Sequence, residues 1–237
     1  MQDSIKYILQ ILPQMLEGLK ITIKLFVVTL VLSLPLGLLI SLFKEAVSKR
    51  PTDNFVIRWI VKMPIRFIIN VYLWVFRGTP LLLQLFFFYF GLTYVTLPNG
   101  ESITLSMFTA AVISFVLNYA AYFAEIYRSG IQSIPEGQRE AAKVLGYTKN
   151  QTFFKIIFPQ MVKRVLPSVT NEVITLVKDT SLAFVLAYAE MFTIAKQIAA
   201  AQTTMMPLFV AGLFYYIFNL IVAVGMEYLE KRMSYYQ

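Results

Sequence analysis

Polar side chains inside apolar stretches are the residues of this chain whose types could do chemistry. Gln84, Asn118 and Glu125 interrupt runs of aliphatic and aromatic residues, and Glu190 follows another such run. An amide or carboxylate in a membrane segment needs a partner or a watery path, so these residues are candidates for a solute pathway. For Gln84, an interhelical hydrogen bond that holds a helix bundle together explains the residue at least as well.

The segment Lys178, Asp179, Thr180 and Ser181 places two ionisable groups beside an apolar stretch. Neighbouring residues on a helix point about 100° apart, so Lys178 and Asp179 need not pair with each other. They are expected either to join a network with Glu125 or Glu172 near an inner gate, or to lie in the lipid headgroup layer with free access to water.

Missing residue types and motifs narrow the chemistry further. Cysteine and histidine are absent, which excludes thiol nucleophiles, disulfides, imidazole bases and a Ser-His hydrolase. The sequence contains no phosphate-binding loop and no dinucleotide fingerprint, so we expect the chain neither to bind nor to hydrolyse ATP, and to hold no cofactor or metal of its own. An enzyme that works through carboxylates alone is a disfavoured alternative.

The elements that position these side chains are predicted to be membrane-spanning helices. With 58% hydrophobic and 14% charged residues, the chain differs from soluble domains, in which roughly a quarter of residues are charged. The net charge of +8 is scattered between apolar runs, which argues against nucleic acid. We therefore predict an all-α integral membrane protein with spans, each near the ~20 residues of a bilayer crossing, at about 22–43, 79–97, 104–127, 167–190 and 206–228.

The distribution of basic residues predicts the orientation. The loops at 44–78 and 128–166 carry fourteen of the 21 basic residues, whereas the intervening segments on the other side contribute only Lys6, Lys20 and Lys196. The positive-inside rule places the N-terminus outside and the C-terminal tail, 229–237, in the cytoplasm. Residues 1–21 lack the features of a signal peptide and are predicted to form an amphipathic segment at the outer membrane surface.

A second amphipathic segment is predicted at 55–76. Arg58, Lys62 and Arg66 recur every four residues among apolar ones, so they share one face of a helix. We favour a helix lying on the inner leaflet over a sixth crossing. Pro64 is expected to kink this helix or to end its first part.

Residues 129–160 form the long polar interruption of the second half of the chain. Ser133 with Glu136, and Thr148 with Gln151, have the spacing of capping boxes, which predicts two short helices. Gly146 and Pro159 are expected to act as stops. A simple return across the membrane needs a shorter loop, so this loop is predicted to meet a partner.

Within this loop, Glu140, Ala141 and Ala142 are followed by Gly146, and then by Ile156 and Pro159. The pattern EAA-x3-G-x9-I-x-x-P resembles the EAA motif of the membrane subunits of ABC-type importers. It suggests a cytoplasmic knob, in which the alanines allow close packing in another protein's groove, Glu140 adds a charge at its rim, and Gly146 permits a left-handed turn. The alternative is an amphipathic hairpin that only covers helix ends.

Three further runs support the same resemblance. Residues 76–92 read FRGTPLLLQLFFFYFGL, which is similar to the RGTPLLxQL signature of polar amino-acid permeases of the histidine, glutamine and arginine uptake group. Residues 122–138 are similar to the AEIxRGGIQSIPKGQ run of that family, with Ser129 in place of a glycine and Glu136 in place of a basic residue. Residues 178–182 are similar to its KDTSL segment.

The resemblance implies a type I ABC importer permease fold, with an ABC transmembrane domain at 22–228 and a coupling loop at 129–165 in a bacterial inner membrane. It implies an ATPase subunit that uses ATP and Mg, a second permease that is identical or homologous, an extracytoplasmic solute-binding protein and a small polar amino acid as cargo. A stand-alone channel or secondary transporter with a regulatory loop is the alternative. The residues expected to couple to the ATPase are Glu140, Ala141, Ala142, Gly146 and Pro159. Those expected at the pathway or gate are Thr79, Gln84, Asn118, Glu125, Lys178, Asp179, Thr180 and Ser181.

Overall fold

A computed structural model describes residues 2–49 and 62–233, and most of them are helical. Within these ranges, β structure is confined to an isolated antiparallel bridge between Thr96 and Ser102. The predicted all-α class is therefore confirmed. The α-helices are α1 (Gln2–Lys49), α2 (Met63–Gly78), α3 (Leu81–Tyr89), α4 (Met107–Ser133), α5 (Glu136–Val144), α6 (Lys149–Thr152), α7 (Phe158–Asp179), α8 (Met191–Gln202) and α9 (Met206–Met233).

In the described part of the chain, α1, α4 and α9 are each long and apolar enough to cross a membrane alone. Two further helix pairs pass the same test only when each pair counts as one broken span, which gives up to five. One pair is α2 with α3 and its following 3-10 turn. The other joins the helix that ends at Leu186 to α8, at a bend of 54°.

The predicted spans at 79–97 and 167–190 are thus less regular than their hydropathy suggests. The first contains the nine residues of α3, whose N-cap is Pro80, and then a 3-10 turn at Gly91–Tyr94. In the second, α7 begins at Phe158, ahead of the predicted span, and passes into a 3-10 helix at Thr180–Leu186. Pro64 is the second residue of α2, and its expected kink or stop in the helix predicted at 55–76 stays a prediction. Residues 55–61 of the predicted amphipathic helix lie outside the described residues.

The N-terminal segment is helical but is not separate from the first span. Helix α1 runs unbroken for 48 residues, which corresponds to about 72 Å, more than twice the ~30 Å hydrocarbon core. Ile11 and Met15 are buried against Met191 and Ala195 of α8. The apolar stripe of this segment therefore packs on protein, a contact that amphipathic periodicity alone does not distinguish from packing on lipid.

Helix α1 carries a stripe of small buried residues that the hydropathy reading missed. A Cβ added at Gly18 would lie 2.7 Å from Met191 Cα, and one at Gly37 would lie 2.7 Å from Phe123 Cβ and 3.0 Å from the Ala120 carbonyl oxygen. Such close helix contacts rely on small side chains, as is common in membrane proteins. The buried hydroxyl residues of the stripe are Thr22, Thr29, Ser33 and Ser41.

Contacts divide the described residues into two compact units. The first comprises 2–32, 79–118 and 173–224, and the second comprises 33–49, 62–78, 119–172 and 225–233. The first has a core of α1, α8 and α9 residues around Met15, Met191 and Val210. The second has a cluster in which Leu73 of α2 packs with Ala121 and Ala124 of α4.

Candidate functional site

The polar hairpin, defined here as residues 134–157, has a geometry that its sequence accounts for closely. Helix α5 ends in a turn where the Tyr147 N–H donates to the Ala142 carbonyl and the Gly146 N–H to the Lys143 carbonyl, at 3.0 and 3.1 Å. This pairing is the Schellman closure, which needs a residue of positive φ at its fifth position. Gly146 supplies it with φ +77, as its role in the motif predicts.

Of the two predicted capping boxes, one is confirmed. The Gln151 N–H donates to Thr148 Oγ1, and the Thr148 N–H donates to Gln151 Oε1 at 2.9 Å, so α6 begins as expected. The other is wrong. Ser133 is the last residue of α4, its hydroxyl donates to the Gly130 carbonyl at 2.8 Å, and Pro135 stands at the N-cap of α5. The Ser133 hydroxyl thus bonds within the last turn of α4, although the spacing of Ser133 and Glu136 predicted that it would cap α5.

The prediction that Pro159 stops a helix is also wrong. Helix α6 continues through a wide π-helical turn at Phe153–Ile157 into α7, and Pro159 is the second residue of α7. In that turn the Phe158 N–H donates to the Phe153 carbonyl, five residues back. The wide turn changes the local hydrogen-bond spacing immediately before a residue that has no N–H to donate.

Helix α5 presents two different faces. Ala142 is only 1% exposed, whereas Glu140 and Ala141 lie on the surface. Val144 and Leu145 are 87% and 74% exposed at the end of the helix. Only one of the two motif alanines can therefore enter a groove of another protein. Ala142 instead packs inside its own chain and sets the orientation of the exposed face.

The hairpin is tied to the helices that flank it. The Arg164 guanidinium of α7 donates to the Ser133 carbonyl at the end of α4, which places a cation at the negative end of the helix dipole. Gln160 Nε2 donates to the Ile156 carbonyl at 2.9 Å and to Gln138 Oε1 at 3.4 Å. The Lys155 ammonium lies 5.8 Å from the centre of the Tyr147 ring. Helix α5 is thus linked directly to α7 through Gln138 and Gln160, and α7 is linked to the end of α4 through Arg164 and Ser133.

Three of the predicted pathway residues form one connected network. Gln84 Nε2 donates to Thr79 Oγ1 at 2.9 Å, and Asn118 Nδ2 donates to Gln84 Oε1 at 3.1 Å. Gln84 and Asn118 are both buried. The bond between them joins α3 to α4, which is the interhelical role considered for Gln84. Their contact with a solute stays a prediction.

Glu125 is engaged in a different network. Its carboxylate accepts from Lys44 Nζ of α1 at 2.5 Å and from Arg128 Nε at 2.8 Å, and Arg128 also donates to Gln132 Oε1. The side chains of Lys44 and Glu125 are largely buried. The expected partners Lys178 and Asp179 are not among these contacts.

The KDTSL segment crosses the end of a helix. Lys178 and Asp179 are the last residues of α7, and the 3-10 helix that follows begins at Thr180. The Thr180 hydroxyl is buried and donates to the Val177 carbonyl, and the Ser181 hydroxyl donates to the Lys178 carbonyl, both at 2.7 Å. These hydroxyls are therefore used in closing the end of α7.

The Glu190 cluster, defined here as Glu190, Thr193 and Tyr215, is a site whose role sequence reasoning missed. Glu190 is fully buried and stands at the N-cap of α8. Its carboxylate accepts four hydrogen bonds at 2.6–2.8 Å, from the N–H groups of Phe192 and Thr193 and the hydroxyls of Thr193 and Tyr215. The sequence holds only a weak signal for it, since glutamate is not among the preferred N-cap residues.

Comparisons with known proteins agree with one another. The family model described as "Binding-protein-dependent transport system inner membrane component" matches residues 61–235. The chain is 36% identical to an arginine transport system permease protein of Bacillus subtilis over 94% of each chain. It is 37% identical to an L-cystine transport system permease protein of the same organism, over 73% of this chain and 72% of that one. A crystal structure of an amino acid ABC transporter with histidines matches with a TM-score of 0.79 and 30% identity, over 95% of this chain and 97% of that one.

Proposed function

Because the chain belongs to the family of binding-protein-dependent transport inner membrane components, it is a permease subunit of an ABC importer, and we propose that it carries a polar amino acid and binds its ATPase through the polar hairpin. The predicted type I importer permease fold agrees with the structural match at a TM-score of 0.79. The chain itself is not an enzyme, and ATP with Mg would be used by the ATPase subunit.

The exposed face of α5 is the observation that carries this proposal. Gly137, Glu140 and Val144 lie on the side of the helix opposite the buried Ala142, and Leu145 extends the apolar tip. Exposed apolar side chains rimmed by charge are typical of a protein interface. The stand-alone channel, in which the hairpin is only regulatory, gives these apolar residues no partner.

The mechanism follows from the attachment of the hairpin. Closure of the ATPase pair on ATP would displace α5, and the contacts from Arg164 to Ser133 and from Gln160 to Gln138 would pass this displacement to α4 and α7. A second permease, identical or homologous, would complete the pathway, and the spans would then change from inward-facing to outward-facing around a midplane site. An extracytoplasmic solute-binding protein would deliver the cargo.

The proposed class of cargo rests on the relatives, which are named for the transport of arginine and of L-cystine. Both are polar amino acids, although arginine has a cationic side chain and L-cystine is a disulfide-linked pair of cysteines. Thr79, Gln84, Asn118 and the segment 178–181 are the residues proposed for the pathway or its gate. In a bacterial inner membrane the basic loops would place the hairpin in the cytoplasm and the N-terminus outside.

A matched pair of substitutions at Gly137 tests the coupling surface. A Cβ at Gly137 meets nothing within 4 Å and Gly137 is exposed, so Gly137→Ala fits the chain's own packing and Gly137→Trp projects from an open position. In proteoliposomes with the cognate ATPase and binding protein, Gly137→Ala should support normal uptake of labelled amino acid. Gly137→Trp should lose uptake and stimulated ATP hydrolysis together, because the indole fills the space between hairpin and ATPase.

Thermal stability and co-purification complete this test. Both variants should unfold at the temperature of the parent protein, and only Gly137→Trp should fail to co-purify with the ATPase. Normal transport by Gly137→Trp would refute the coupling surface. Uptake that continues without ATP and without any associated ATPase would support the channel instead.

A further inference from the structure

Helix α2 (Met63–Gly78) has an apolar face that is exposed among the residues the structure describes. Trp74 is 72% and Phe67 is 66% exposed, and Ile68 and Val75 are exposed as well. The opposite face packs on the protein, where Leu73 lies with Ala121 and Ala124 of α4. One side of the helix therefore packs on protein, and the other side is exposed.

The charges of α2 are confined to one edge. Arg66 and Arg77 are eleven residues apart, which at 100° per residue brings them to nearly the same angle, about 16 Å apart along the axis. Ile68 and Val75 lie about 180° from this edge. Both arginines are exposed, and the Arg77 guanidinium also lies over the Tyr122 ring at 5.6 Å from its centre.

The directions in which the side chains of α2 point fit a helix that lies in the plane of a membrane surface. With the arginine edge at the headgroups, Ile68 and Val75 point into the acyl chains. The side that carries Ile69 and Phe76 faces the protein, and Phe67 and Trp74 face lipid sideways. The described part of the helix is about 24 Å long. Tryptophan is also the residue type that favours the membrane interface.

We propose that α2 is a docking surface for anionic phospholipid, in which Arg66 and Arg77 bind headgroup phosphates while Phe67, Ile68, Trp74 and Val75 contact the acyl chains. Two guanidinium groups along one edge complement negatively charged headgroups, and each basic side chain near such a surface contributes about five-fold in lipid enrichment. The proposed orientation of the permease identifies the leaflet as the cytoplasmic one.

The chain offers its own reporter for this surface. It contains two tryptophans, so Trp59→Phe leaves Trp74 as the sole indole. The full chain is placed in vesicles of phosphatidylcholine and phosphatidylglycerol, and the bromine quencher is carried on one lipid or the other at equal fraction. Brominated phosphatidylglycerol should quench Trp74 several-fold more effectively than brominated phosphatidylcholine.

Substitutions of the charged residues then show which side chains cause the lipid preference. Arg66→Gln should lower the preference for phosphatidylglycerol about five-fold, and Arg77→Lys, which keeps the charge, should preserve most of it. Arg232→Gln removes an exposed charge from α9 and should change nothing. Equal quenching by both lipids, or an equal loss with Arg232→Gln, would overturn the proposal.

Absence of quenching by either lipid would also overturn it, because the open face would then be covered by protein, such as a second permease. The measurement needs no ATPase, binding protein or cargo. If Trp74 shows no lipid preference, the proposed importer function is therefore unaffected. If the transport assay fails, the proposed lipid-binding surface is unaffected.

Discussion

In the polar hairpin, Glu140 and Lys143 stand on the surface beside the exposed Val144 and Leu145, whereas the Glu190 carboxylate is buried with four donors around it. Glu140 lies in the middle of the short helix α5 and Glu190 is the N-cap of α8, and their surroundings differ as well. The hairpin leaves its groups available to another molecule, and the Glu190 cluster uses its groups internally. In these two regions, the exposed polar groups are available to a partner and the buried ones hold the fold together.

The largest loss of stability is expected from Glu190→Ala. It leaves the Tyr215 and Thr193 hydroxyls and two N–H groups without their acceptor, and each unsatisfied buried group costs about 1–3 kcal/mol. The detergent-solubilised variant should be largely unfolded or should melt far below the parent. Glu190→Gln, which keeps the shape and one acceptor oxygen, should fall between them. A parent-like melting temperature for Glu190→Ala would show that the cluster is not structural.

Gly37→Leu should be the next most damaging change. Its Cβ would approach the Ala120 carbonyl oxygen to 3.0 Å and Phe123 Cβ to 2.7 Å, and such overpacking costs about 1–3 kcal/mol or more. Gly212→Leu is the matched control, since nothing lies within 4 Å of its Cβ. Thermal unfolding should separate the two variants. Equal stability of the two leucine variants would contradict this packing. Gly137→Trp, which is predicted to keep the fold and lose coupling, shows the contrasting effect of a substitution at the interface.

A smaller effect is expected at the link between Gln84 and Asn118. If it is an interhelical bond, a double-mutant cycle with Gln84→Leu and Asn118→Leu should give a coupling of about 0.6 kcal/mol, the typical value for such bonds in membranes. The KM for the transported amino acid should then stay near that of the parent. A large rise in KM with additive stability effects would assign both residues to the solute pathway instead.

The smallest effect belongs to Thr148→Ala in the hairpin. Loss of an exposed cap typically costs about 0.5–1 kcal/mol, here confined to the start of α6. Uptake should fall only slightly, and hydrogen exchange should rise at residues 149–152 with little change elsewhere. Thr148→Ser keeps the hydroxyl and should behave as the parent. Global destabilisation by Thr148→Ala would mean that the hairpin is less independent of the interior than its exposure suggests.

The sequence predicted the hairpin far better than the interior. Thr148, Gln151 and Gly146 act through neighbours within five residues, so local spacing is enough to place them. Tyr215, which donates to Glu190, and the neighbours of Gly37 come from distant parts of the chain, and hydropathy says nothing about which helices meet. The errors at Ser133 and Pro159 have the same origin, because each residue lies within an adjoining helix although its type favours a helix boundary.

The central claim, that the exposed tip of the hairpin binds the ATPase, can be tested by cross-linking. The chain has no cysteine, so Val144→Cys introduces a single thiol at an exposed position. In membranes that contain the cognate ATPase, a bifunctional thiol reagent should join Val144→Cys to that subunit. Ser102→Cys, which is exposed in the short segment after the span predicted at 79–97 and is predicted outside, should not be joined to it. A Val144→Cys thiol that is labelled by cytoplasmic reagents but never cross-links to the ATPase would contradict the claim.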